Sequence, residues 1–298
     1  MKIWKILLLA TTIAAMGTAY GQGRLEKIKS TGEITIGHRD ASIPFSYLDD
    51  QQTPVGYSMD ICAKVVDDVK QKLGLDTLNV KLVPVTSSTR IPLVANGTVD
   101  LVCGSATNTV ERQKQVSFAP TTFVTATRYA AKKSSNINSL DDLNGKTVVS
   151  TAGTSNIRWL TAVNESEGRK MRIIPTKDHP AAMLTVANGR AVAFFMDDIL
   201  LASLVATERQ PDEWMISQDT YTVEPYAIME PKNDPEFKKV VDDSIAAMMK
   251  DGTLATLYKK WFEMPIPPKN VNLNLPMSEA LARAVANPTD SPDPADYQ

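Results

Sequence analysis

Three arginines stand where strands should end and helices begin. Arg39 follows the strand Ile34 to Gly37, Arg90 follows Val80 to Val85 by way of Thr86-Ser87-Ser88-Thr89, and Arg112 follows Val99 to Cys103 by way of Gly104-Ser105-Ala106-Thr107. If those strands are parallel, all three emerge at the same edge of one sheet. An arginine alone is most often a solvated surface charge. Clustered guanidinium groups repel one another unless something anionic joins them, and a carboxylate accepting in bidentate fashion is their natural partner. A dicarboxylate suits three of them better than a monocarboxylate does.

The second half of the chain carries complementary groups. Ala152-Gly153-Thr154-Ser155 opens a helix and offers main-chain N–H groups and hydroxyls to an anion. It lacks the spacing and the lysine of a nucleotide-binding loop. Asp197, at the end of the strand Ala191 to Phe195, is placed to receive an ammonium group. Taken alone, Asp197-Asp198 reads as a helix-start pair favoured by the helix dipole. His179 begins a helix and can donate to a ligand oxygen, although capping or surface exposure is the simpler reading for a lone histidine. With two histidines in all, neither in a fitting motif, the chain offers little for metal ligation or a serine-histidine relay. Glu111, the remaining candidate acid, supports Arg112 or its helix. No cofactor, no metal and no catalysis are expected.

The elements that must position these groups alternate between helix and strand. An amphipathic turn from Leu25 and Ile28 stops near Gly32, and a helix with Ser58 as its expected cap carries Cys62, Val65, Val66, Val69 and Leu73 at helical spacing until Gly74. A short helix at Ile91 to Ala95 separates the strands Val80 to Val85 and Val99 to Cys103. After an extended stretch at Thr121 to Ala131 the pattern restarts. A short helix from Ser139 to Gly145, the strand Lys146 to Ser150, a helix through Trp159, Ile173-Ile174, a helix at Ala181 to Asn188, the strand Ala191 to Phe195 and a helix from Ile199 make a second set. A second extended stretch, Tyr221 to Met229, leads to a helix holding Phe237, Val240, Val241 and Ile245. Another helix spans Thr253 to Phe262, and the proline-rich remainder reads as irregular surface chain. The expected fold is therefore α/β and two-lobed, each lobe a mostly parallel sheet flanked by helices, the lobes joined by two extended hinge strands. Lobe 1 takes residues 22–123 and 223–298, and lobe 2 takes 124–222. A ligand would sit between them, where strand ends and helix starts converge.

Bulk properties narrow the partners. The 298 residues are 43% hydrophobic, enough for two cores, and a formal charge of -2 gives no general attraction to nucleic acid or anionic lipid. Lys2 and Lys5 ahead of the apolar run Ile6 to Ala15 predict a secretory signal over residues 1–21, cleaved to leave Gln22, with a cut after Gly17 as the alternative. Of the two cysteines, Cys62 lies on an apolar helical face and Cys103 ends an apolar strand. Export permits a bridge between them, but the burial pattern favours two buried thiols acting as small hydrophobes.

Taken together, Gly37-His38-Arg39-Asp40, Ile43-Pro44-Phe45-Ser46-Tyr47, Gly56-Tyr57-Ser58, Ser87-Ser88-Thr89-Arg90-Ile91-Pro92-Leu93, Cys103-Gly104-Ser105, Val110-Glu111-Arg112-Gln113-Lys114-Gln115, Lys177-Asp178-His179, Phe195-Met196-Asp197-Asp198 and Pro265-Ile266-Pro267-Pro268-Lys269-Asn270 resemble the periplasmic glutamate/aspartate-binding proteins of polar amino acid ABC transporters. The resemblance spans essentially the whole chain after the signal. It implies a type II periplasmic binding fold and a monomeric shuttle in the periplasm that carries L-glutamate or L-aspartate to a membrane ABC permease. It assigns Arg112 and the Thr154 to Ser155 helix start to the ligand α-carboxylate, and Asp197, Ser105 and Thr107 to the α-ammonium. Arg39, Arg90, Ser87 and His179 are left for the side-chain carboxylate. Ala106 departs from the family, where threonine is frequent, and implies a hydroxyl lost beside the pocket. Two other uses of the fold, a periplasmic enzyme and a sensor module, lack supporting motifs here.

Overall fold

The computed structural model describes residues 23–298, so the signal expected over residues 1–21 lies outside the described residues. The chain runs α1 (Arg24–Thr31), β1 (Glu33–His38), a small meander of β2 (Ala41–Ser42), β3 (Ser46–Leu48) and β4 (Pro54–Val55), then α2 (Tyr57–Leu73), β5 (Asn79–Pro84), α3 (Arg90–Ala95), β6 (Leu101–Cys103), α4 (Val110–Gln113) and β7 (Val116–Phe118). The second part holds β8 (Phe123–Lys132), β9 (Thr147–Thr151), α5 (Ser155–Ser166), β10 (Arg172–Thr176), α6 (His179–Ala187), β11 (Ala193–Asp197), α7 (Asp198–Thr207) and β12 (Trp214–Ile216). β13 (Val223–Tyr226) and β14 (Met229–Pro231) lead back to α8 (Pro235–Lys250), α9 (Thr253–Tyr258) and α10 (Glu279–Ala286).

Besides the small β2-β3-β4 sheet, two large sheets result, in the orders β5-β1-β6-β14-β7 and β10-β9-β11-β8-β12, the second joined by β13 alongside β8. β5, β1 and β6 are parallel, and so are β10, β9 and β11, while β14 and β8 run antiparallel to their neighbours. Each large sheet is thus mixed, with one reversed strand. The register aligns His38 with both Pro84 and Cys103, so the chain leaves β1, β5 and β6 at one level with Arg39, Val85 and Gly104. In the other sheet, Thr151 faces Thr176 and Ser150 faces Phe195, which brings the ends of β9, β10 and β11 level as well.

The chain passes between the two sheets twice, and β8 and β13 pair antiparallel there, Phe123 opposite Tyr226 and Ala126 opposite Val223. Phe45 packs edge-on against Phe123 and Tyr226, with ring centroids 4.9 and 5.1 Å away. This aromatic contact fixes the crossing strands to the first lobe, because such pairs add to the free energy of area burial.

Four expectations need correction. The helix at Tyr57 is entered from Gly56, and Ser58 lies inside its first turn with its hydroxyl donating to the Gly104 carbonyl at 3.4 Å. The helix expected from Ser139 shrinks to the single turn Asp141–Leu143, because the Asp142 carboxylate takes the Asn138 and Ser139 N–H groups from outside it. The proline-rich remainder contains α10 and buries Leu281, Ala284 and Tyr297. Cys62 and Cys103 are buried as expected but are joined in a disulfide, with Cα atoms 6.2 Å apart across a separation of 41 residues. α2 packs on β6, which brings the two sulfurs together from distant parts of the sequence. Closing a loop of that length removes about 4 kcal/mol of denatured-state entropy.

Candidate functional site

The three arginines meet at the shared strand edge. Arg39, Arg90 and Arg112 are 3%, 2% and 1% exposed, far from the solvated state usual for arginine. Each leaves a different sheet connection: Arg39 directly after β1, Arg90 at the start of α3, and Arg112 on α4, whose first turn is capped by the Thr109 hydroxyl accepting from the Arg112 N–H at 3.2 Å. The Arg90 Nη1 donates to the Ser105 carbonyl at 2.6 Å, and the Arg112 Nη1 donates to the Thr107 carbonyl at 2.7 Å. Arg39 Nη1, Arg90 Nε and Arg112 Nε are buried with no protein acceptor, and the buried hydroxyls of Ser87 and Ser105 are likewise unpartnered. A buried unpaired donor costs about 1–3 kcal/mol, more when charged, so an anionic acceptor among these groups would be strongly favoured.

Burial is also what perturbs these charges. It pulls the Arg39 pKa down to about 10 and those of Arg90 and Arg112 to about 9, with Arg39 acting on Arg90 and Arg90 on Arg112 as like charges. All three remain cationic at neutral pH. A carboxylate placed among them relieves both the desolvation and the repulsion.

The second lobe faces this cluster with the helix starts of α5, α6 and α7. Gly153 adopts φ +78°, and a Cβ there would lie 2.7 Å from the Ser88 Cα and N, so the lobes meet at a position that only glycine fits. Its carbonyl accepts from Arg112 Nη2 at 3.3 Å, and the Ser155 hydroxyl lies 3.2 Å from that of Thr107. Thr154 caps α5: its hydroxyl accepts from the Ile157 N–H and donates to the Thr151 carbonyl, which leaves it committed to the cap. His179 is neither a cap nor exposed. Asp178 caps α6, while His179 is 2% exposed, with Nδ1 2.9 Å from the Thr151 hydroxyl and Nε2 without a partner. Burial, followed by the charges of Arg39 and Arg90, holds its pKa well below the usual range. A neutral ring accepting from Thr151 at Nδ1 keeps its proton on Nε2, ready to donate.

Asp197 sits at the start of α7, and its carboxylate does not cap that helix. One oxygen accepts from Asn156 Nδ2 at 2.7 Å and the other from the Tyr226 hydroxyl. Burial, then the nearby Glu224 carboxylate, raises its pKa to about 7. Asn156, Tyr226 and Glu224 had no place in the sequence reading. Glu224, 3% exposed, accepts from Ser155 at 2.7 Å and from Thr222 at 2.6 Å, tying the crossing strand β13 to the start of α5. Ala106 is fully buried in an apolar cluster with Val85, Val102 and Ala227, so packing accounts for its side chain.

Two α/β lobes, paired crossing strands, and buried cationic groups of one lobe set near a buried carboxylate of the other make up the two-lobed architecture of a periplasmic binding fold. Residues 34–264 match the bacterial extracellular solute-binding proteins, family 3, and the chain belongs to that family. It is 51% identical over 269 residues to the L-glutamate/L-aspartate-binding protein of Pseudomonas aeruginosa, covering 90% of this chain and 89% of that one. It is 48% identical over 266 residues to the glutamate/aspartate import solute-binding protein of Salmonella typhimurium, covering 89% and 88%. Among solved structures, an ancestral arginine-binding protein bound to arginine superposes with a TM-score of 0.69 at 27% identity, over 78% of this chain and 98% of that chain.

Proposed function

We propose that this protein captures L-glutamate or L-aspartate by closing its two lobes around the molecule, and delivers it to an ABC importer in the membrane. The observation that carries the proposal is the trio of buried guanidinium groups, each with an unpaired nitrogen, set against the buried carboxylate of Asp197. A ligand with two negative groups and one positive group complements that arrangement. Arg112, with the N–H groups at the start of α5, holds the α-carboxylate, and the Ser155 hydroxyl, which donates to Glu224, borders that position. Asp197 receives the α-ammonium, whose other hydrogens go to Ser105 and Thr107. Arg39, Arg90, Ser87 and the Nε2–H of His179 bind the side-chain carboxylate.

The mechanism is differential affinity for two states. With the lobes apart, the arginines and Asp197 belong to separate surfaces, and neither surface satisfies the whole zwitterion. A ligand bridging both favours the closed form by the contacts it makes only there. Lobe 1 (22–123 and 223–298) and lobe 2 (124–222) move as bodies, and the crossings at Thr121 to Ala126 and Tyr221 to Pro225 absorb the rotation. The protein works as an exported monomer in the periplasm, and closure presents the permease with a surface that the empty form lacks. The test is chemical recovery. Protein purified without denaturation is unfolded, and the released small molecule is identified by mass spectrometry. The proposal expects intact glutamate or aspartate, and a cationic amino acid or a chemically altered product contradicts it.

A further inference from the structure

The segment after residue 264, beyond the stretch matched by the family, reaches back to the loop that holds Arg112. Asn108, 0% exposed, sits between Thr107, whose carbonyl accepts from Arg112, and Thr109, which caps the helix carrying Arg112. The Asn108 side chain donates to the Asp290 carbonyl at 2.8 Å, and Gln113 Nε2 donates to the same carbonyl at 3.1 Å and to Asn108 Oδ1 at 3.0 Å. The Asn108 main chain meanwhile donates to the Pro225 carbonyl of β13 at 2.7 Å. A second grip lies at the other crossing, just ahead of β8. The Thr121 N–H donates to the Thr289 carbonyl at 2.8 Å, and the Thr121 hydroxyl donates to Tyr297, which itself donates to the Ser291 carbonyl. Tyr297 is 3% exposed, and Asp290 pairs with Lys238 at 3.0 Å.

We infer that residues 288–298 are a positioning element for ligand capture: they fix the Thr107 to Arg112 loop and the lobe 1 end of both crossings, so that Arg112 is held ready for the α-carboxylate. This inference rests on the functional reading above. Through Asn108 the segment reaches the loop assigned to the α-carboxylate, and none of its hydrogen bonds goes to Arg39, Ser87, Arg90 or His179, the groups assigned to the side-chain carboxylate. Its loss therefore weakens every α-amino acid alike, whereas a change in the arginines around the side-chain carboxylate alters selectivity.

The test compares the full chain with a chain stopped after Asn287, with Asn108→Ala, and with both changes combined. Affinities for glutamate, aspartate and glutamine are measured by calorimetry and dissociation rates by stopped flow. The stopped chain is expected to bind all three about tenfold more weakly, as loss of one or two net hydrogen bonds at the loop implies, with faster dissociation and an unchanged glutamate-to-glutamine ratio. Asn108→Ala is expected to lower the same affinities, and to add little in the stopped chain because it acts through the same contact. Wild-type affinity in the stopped chain, a loss confined to acidic ligands, or additive losses in the combined variant overturns the inference. Should the stopped chain fail to fold, Asn108→Ala in the full chain decides, and wild-type binding there overturns it. A full chain that binds none of the three amino acids contradicts the functional reading instead, and the comparison is then run with the molecule released from native protein.

Discussion

Lowering the pH from 8 to 6 is expected to weaken glutamate binding about tenfold, because Asp197 must be ionised to receive the ligand ammonium. Burial, then the Glu224 charge, raises the ligand-free carboxyl to about pH 7, against the hydrogen bonds from Tyr226 and Asn156 that favour its ionised form. For the fold alone, a raised carboxyl pKa means that this group's contribution to stability is fully present below its ordinary value and is lost as the pH rises through 7. Binding has the opposite sign: the ammonium favours the carboxylate, so the bound pKa drops and a proton leaves on binding. At pH 8 about nine-tenths of the free sites are ionised and at pH 6 about one-tenth, which sets the tenfold loss. His179 has the reverse sensitivity, since a ligand carboxylate raises its depressed pKa, but burial and the adjacent arginines keep that titration at lower pH. Calorimetry in two buffers of different ionisation enthalpy counts the protons, with about half a proton released at pH 7. Asp197→Asn should bind weakly with a flat profile between pH 6 and 8. Affinity that is constant or rising from pH 8 to 6 in the unmodified protein, or the absence of proton release, would refute the assignment of Asp197.

Arg112→Ala should abolish binding of every α-amino acid, while Arg90→Ala or Arg39→Ala should chiefly remove the preference for acidic side chains; titration with glutamate and glutamine reads both, and the opposite pattern reverses the two carboxylate roles. Replacing Cys62 and Cys103 by serine should lower unfolding free energy by about 2–4 kcal/mol in a denaturant titration and leave glutamate affinity nearly unchanged, since the bridge constrains the unfolded chain. Gly153→Ala should weaken all ligands by at least about tenfold, because its Cβ would strike the Ser88 backbone only when the lobes meet and an L side chain resists its φ of +78°. Small-angle scattering should show the radius of gyration falling when glutamate saturates the unmodified protein, and an unchanged radius with confirmed binding would contradict lobe closure.

The charged wall of the cleft was legible because its residues sit at the ends of recognisable elements. Arg39, Arg90 and Arg112 each follow an apolar strand, and parallel pairing of β1, β5 and β6 was enough to bring them to one edge. Asp197 and Ser155 were legible for the same reason. Glu224 and Tyr226 were not. Their partners lie 69 residues away at Ser155 and 29 at Asp197, and within the sequence Val223-Glu224-Pro225-Tyr226 reads only as an extended stretch. For His179, the lone-residue reading as a cap or surface group fails because its neighbour Asp178 supplies the helix cap, which leaves the ring free to turn inward. The disulfide depends on how α2 lies over β6, a tertiary fact that helical and strand periodicities do not encode. The last segment reads as surface chain from its prolines, yet Ser278 caps α10 and Leu281 and Ala284 stand at helical spacing within it; only Tyr297 lies outside any period.

The central claim is that the buried guanidinium cluster selects a second carboxylate on an α-amino acid. Calorimetric titration of ligand-stripped protein with glutamate, aspartate, glutamine and asparagine tests it most directly. An amide in place of the side-chain carboxylate leaves desolvated positive charge uncompensated, at a cost of about 2–5 kcal/mol, or roughly thirtyfold to several thousandfold in affinity. The account predicts tight binding of glutamate or aspartate and a loss of that size for its amide. Equal affinities for acid and amide would contradict it.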